Sequence, residues 1–114
     1  MARARTPQST EASEPEHELE LLPGLDDLTA ALLSLRGPDE VKRFLRDLCT
    51  YSELEALSHR WQIACLLHGK KSYVEIAEEV GASTATVTRV AHWLRHGAGG
   101  YALALDRTRK PEPA

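Results

Sequence analysis

From Trp61 to Leu67 the chain reads WQIACLL, in which only Gln62 is polar. The preceding residues, "TYSELEALSHR", offer two capping-box pairs, Thr50 with Glu53 and Ser52 with Glu55, so a helix is expected to start near Ser52 and to run to Leu67, before Gly69. Its second half is apolar almost all round, and such a helix needs partners on several sides. A chain of 114 residues can bury one small core. Either the two preceding helices wrap this one within a single chain, or a second copy covers it, and a homodimer is the expectation. The composition agrees with packed helices: 42% of the residues are hydrophobic but only one is phenylalanine, so the core must be built from Leu, Val, Ile and Ala. The expected fold class is all-α.

Punctuation divides the rest into short helical blocks. Leu25, Leu28, Leu32 and Leu35 recur at helical spacing, and Gly37 followed by Pro38 ends one helix and opens the next. Val41, Phe44, Leu45 and Leu48 form the apolar face of that second helix, and Asp39 and Glu40 suit its positive N-terminal end. Residues 1–22 contain little that could form a core and read as a disordered acidic arm. A helical domain is expected over 23–106 and a fraying tail over 107–114, with its two prolines.

The formal net charge of -3 looks wrong for a nucleic-acid partner until it is located. Arg3 and Arg5 stand against Glu11, Glu14, Glu16, Glu18 and Glu20, so the arm carries the whole excess and the remainder is neutral. A neutral domain can still bind DNA if its cations share a face. Cys49 and Cys65 have no second cysteine at metal-ligand spacing and read as small buried hydrophobes. No segment resembles a signal peptide or a membrane span, so a cytoplasmic location is expected.

The stretch "EIAEEVGASTATVTRVAHWL" carries the functional signal. Ser72 can cap a short helix with Ile76, Ala77 and Val80 inward, Gly81 can supply a left-handed turn, and Ser83 can cap a following helix. Val87, Val90, Ala91 and Leu94 fall on one side of it, whereas Ala85, Thr88, Arg89, His92 and His96 fall on the other. This is the helix-turn-helix arrangement. Small residues at Ser83, Thr84 and Ala85 let a backbone approach a major groove, and hydroxyls can donate to phosphates. Arg89 and Arg95 can reach a phosphate or a guanine edge. The plain alternative is a helical hairpin with a solvated face, but no Asp or Glu occurs between Glu79 and Asp106. The candidate double-stranded-DNA contacts are therefore Lys71, Ser72, Tyr73, Ser83, Thr84, Ala85, Thr86, Thr88, Arg89 and His92.

"YVEIAEEVGASTATVTRV" followed by "GYALALDR" resembles the Trp repressor superfamily, most closely its Trp-repressor-like YerC/YecD group, over Leu25 to Arg107. The resemblance implies about six helices per chain and an intertwined homodimer built from the first three helices and the last. The fourth and fifth helices would form the DNA-reading head, and the last helix would span Tyr101 to Asp106 after the Gly99–Gly100 break. It also implies a corepressor slot that this chain departs from. Arg89 matches the recognition-helix arginine of the Trp repressor, but Val90 stands where that family member has a glycine and Trp93 where it has a serine. Arg60 is the candidate second arginine, one residue closer to the following glycine, and one residue turns a helix by about 100°. A branched valine fills space that a ligand would need, so the slot of Arg60, Arg89, Val90 and Trp93 is expected to be closed, and no tryptophan or other cofactor is expected.

Other constellations are weaker. His92 and His96 could share a metal at their i, i+4 spacing, but no third ligand is near, and phosphate contact or solvent exposure serves as well. Lys70 and Lys71 could meet a DNA backbone or complement the preceding helix end. Tyr73 could donate to a phosphate or pack. The chain has no nucleophile elbow or phosphate loop, and Glu78 and Glu79 are adjacent rather than on one helix face, so it does not read as an enzyme. The rival function is a helical dimerisation module that binds another protein, and salt separates the two, because only DNA binding should fall steeply with ionic strength.

Overall fold

The computed structural model of the chain describes residues 18–108. After helix at 18–20, six helices follow: α1 (Leu25–Leu33), α2 (Pro38–Leu48), α3 (Tyr51–Leu66), α4 (Tyr73–Val80), α5 (Thr84–His96) and α6 (Gly100–Thr108). No strand occurs among the described residues, so the all-α expectation holds.

The local signals set most of the boundaries. Pro38 takes the first position of α2, with Asp39 and Glu40 in the first turn. Of the two possible boxes at the start of α3, Thr50 with Glu53 is the one formed. The Thr50 hydroxyl accepts from the Glu53 amide at 3.1 Å, and the Glu53 carboxylate accepts from the Thr50 amide at 2.8 Å. The helix therefore begins at Tyr51, one residue before Ser52. The last helix extends beyond the expected Tyr101–Asp106 at both ends. Of the acidic arm, residues 1–17 lie outside the described residues, and the remainder opens with the helix at 18–20.

The core sits at one end of the molecule. Ile63 and Ala64 of α3, Ile76 and Ala77 of α4, Val87 and Val90 of α5 and Leu105 of α6 form one buried cluster. Trp61, Leu66, Tyr73, Leu94 and Tyr101 pack around it. α3 is the central element, packed against α4, α5 and α6. By contrast, no residue from 18 to 62 is buried. The main packing of α2 is on α3, and α1 forms no comparable pairing.

Two cysteine expectations change. Cys65 is exposed and Cys49 only half-buried, because the core takes Ile63 and Ala64 from α3 and leaves the face bearing Cys65 open. No helix among the described residues is long and apolar enough to cross a membrane.

Candidate nucleic-acid interface

The candidate head is α4, a turn and α5. Ser72 caps α4 by accepting from the Glu75 amide at 3.1 Å, and the Glu75 carboxylate accepts in return from the Ser72 amide at 2.8 Å. The sequence reading did not single out Glu75, although the S-x-x-E spacing marks it. At the other end Gly81 has φ +84°, a conformation that side chains other than glycine rarely adopt. The amides of Gly81 and Ala82 both donate to the Ala77 carbonyl at 2.9 Å, which closes α4 and reverses the chain.

Ser83 then caps α5, accepting from the Thr86 amide at 3.1 Å. The two hydroxyls, Ser83 Oγ and Thr86 Oγ1, are 3.0 Å apart. Thr86 is thus half-buried and engaged at the cap, whereas Ser83, Thr84, Ala85, Thr88, Arg89 and His92 are exposed. They stand on a buried face: Val87, Val90 and Ala91 are at most 3% exposed. The first turn of α5 holds no acidic residue, and its last turn carries Arg95 and His96. One side of the helix is therefore fixed in the core, and the other presents small, hydroxyl and cationic groups.

At the α4 entrance one of the two readings of Tyr73 is seen and Lys71 has a partner that the sequence did not suggest. Tyr73 is half-buried against the core cluster, so packing is its structural role. Lys71 is not free: its Nζ lies 3.0 Å from Glu79 Oε1. The hydrogen bond and charge of Glu79 together raise the lysine pKa above its usual value. This ion pair has no short-range sequence signature.

Of the four slot residues only Trp93 lines the cleft that opens beside α5. Val90 is 2% exposed and lies within the core. Trp93 is 48% exposed. With Trp61, Gly97 and Tyr101 it walls an open cleft of ≈ 410 Å³. The Trp61 and Tyr101 rings lie nearly parallel at 6.4 Å. Gly97 is required beneath Trp93, since an added Cβ would approach the Trp93 carbonyl oxygen to 2.5 Å. Arg60 and Arg89 are exposed and do not line this cleft. His92 packs edge-on against Trp93 at 4.9 Å and lies 5.0 Å from His96. No group of three metal-ligating side chains occurs among the described residues.

Comparison with known proteins agrees with this geometry. Residues 23–109 match the family model for the Trp repressor protein. The chain is 42% identical over 88 residues to the uncharacterised protein YerC of Bacillus subtilis (strain 168), covering 77% of this chain and 85% of that one. A TrpR-like protein from Eubacterium eligens ATCC 27750 superposes with a TM-score of 0.76 at 37% identity, over 85% of this chain and 99% of that one. A Staphylococcus aureus protein described as a candidate Trp repressor gives 0.73 at 41% identity, over 79% and 92% respectively. A family of helix-turn-helix DNA-binding regulators accounts for both the sequence and the fold, and the chain belongs to it, in the Trp-repressor-like YerC group.

Proposed function

We propose that the protein is a transcriptional regulator, acting as a repressor, that reads a palindromic DNA operator as a homodimer without tryptophan as corepressor. The observation that carries this reading is the capped α5, whose exposed acid-free face stands on a buried one. Ser83, Thr84, Ala85, Thr86, Thr88, Arg89 and His92 enter the major groove, and Lys71, Ser72 and Tyr73 meet the backbone on its flank. Two recognition helices roughly 34 Å apart are needed to enter successive grooves, which calls for a second copy. The dimer is supported by the residues from 18 to 62, none of which is buried within one chain.

Tryptophan independence is supported by the burial of Val90 and by the absence of Arg60 and Arg89 from the cleft. In this reading Val90 gives the recognition helix the packing that a ligand would otherwise supply. Selecting bound duplexes from a random pool, at two salt concentrations and with or without L-tryptophan, tests the whole reading. A palindromic consensus, steep loss with salt and indifference to tryptophan are expected; enrichment only in the presence of tryptophan would contradict it. Val90→Gly is expected to weaken binding to the selected duplex roughly tenfold or more, because it opens a buried site in the supporting helix. Unchanged affinity would show that Val90 does not hold the head.

A further inference from the structure

Lys71 precedes the Ser72 cap of α4, and Glu79 lies in the last turn of that helix. Their side chains are each 49% exposed, yet they meet at 3.0 Å. Glu79 raises the lysine pKa through its hydrogen bond and its charge, with a smaller contribution from Glu75, against slight desolvation. Because the folded value is the higher one, the pair is intact at neutral pH and the lysine's share of it is lost as pH rises past its raised pKa. Glu78, the neighbouring carboxylate, makes no such contact with Lys71.

We infer that Glu79 is an internal stand-in for a DNA phosphate: it holds the Lys71 ammonium, so that this charge serves the backbone only where a phosphate displaces the carboxylate. The inference rests on the DNA-reading head proposed above. An ammonium is a point donor that accepts carboxylate and phosphate oxygens alike, so the two compete for it directly. The first helix of a helix-turn-helix crosses the DNA backbone, which puts a lysine at its entrance within reach of phosphates. Such a contact carries no sequence information, and a free lysine there strengthens binding to every duplex. Glu79 is therefore a positioning residue that restrains sequence-independent binding. The restraint is small, since an exposed ion pair changes an equilibrium constant by at most about fivefold.

The test is fluorescence anisotropy of a non-operator duplex over a series of salt concentrations, with wild type, Glu79→Gln, Lys71→Ala, the double variant and Glu78→Gln as a charge-matched control. Glu79→Gln is expected to bind about two- to fivefold more tightly at low salt. Its log K against log salt slope should steepen by about 0.9, the contribution of one further phosphate contact. The double variant should bind no more tightly than Lys71→Ala, and Glu78→Gln should gain less than half as much as Glu79→Gln. Equal gains from Glu78→Gln and Glu79→Gln, or a gain that persists without Lys71, would overturn the inference and reduce Glu79 to a generic charge. In the DNA-free protein, a nitrogen-detected titration of Lys71 should show its pKa falling in Glu79→Gln. No fall would refute the pairing while leaving the DNA-reading head intact. Wild type that binds no duplex at any salt concentration would instead overturn the head, and this inference with it.

Discussion

The two ends of the chain place their apolar residues very differently. From Ile63 onward they converge, so that Ile63, Ile76, Val87 and Val90 are essentially sealed from water. Before Ile63 they do not: α2 has a clear apolar stripe in Val41, Phe44, Leu45 and Leu48, yet none of its residues is buried. Leu33 is 81% exposed, although it belongs to a helix of mostly apolar residues. Among the described residues α3 covers that stripe only in part, so in the proposed reading the arm before Ile63 is one half of a packing arrangement, whereas the head closes its core within one chain. In the proposed dimer a second arm supplies the missing half.

The largest effect expected from this contrast is at the arm. Phe44→Asp places a charge in the proposed interface and should weaken dimerisation by about 100-fold or more, roughly 3 kcal/mol. Sedimentation should show a monomer that no longer binds the selected duplex; a stable dimer would break the contrast. Ile76→Ala removes a fully buried side chain from the head and should cost about 3 kcal/mol, a fall in Tm of roughly 10 to 20 °C. That loss should be similar at every protein concentration, whereas Phe44→Ala should lower Tm in a concentration-dependent way, because only the arm depends on association.

Smaller effects probe how the head is held. A Cβ added at Gly81 would meet nothing within 4 Å, so Gly81→Ala carries only the backbone penalty of φ +84°. That penalty is about 1 to 2 kcal/mol and should appear in chemical denaturation with an unchanged m-value. The smallest change is expected from Ser72→Ala, which removes one side of the α4 capping box for about 1 kcal/mol. Hydrogen exchange should speed up at the first amides of α4 and leave α2 unaffected.

What could be read from the sequence follows the range of the interactions involved. The Gly81 turn, the Ser72 and Ser83 caps and the inward Val87, Val90 and Ala91 are set within one or two helical turns, and local spacing specifies them. The choice of Thr50 over Ser52 was not legible, since both pairs have the same spacing. The Lys71–Glu79 pair spans eight residues and a helix start, beyond any i, i+4 rule. Cys65 misled because WQIACLL is apolar all round: composition tells that several faces want cover but not which one the single chain leaves open.

Sedimentation equilibrium of the full chain, alone and mixed with the selected palindromic duplex, tests the central claim most directly. A dimer in the free protein and two chains per duplex, in both cases without tryptophan, are predicted. A monomer across the micromolar range, or a single chain bound per palindrome, would contradict it.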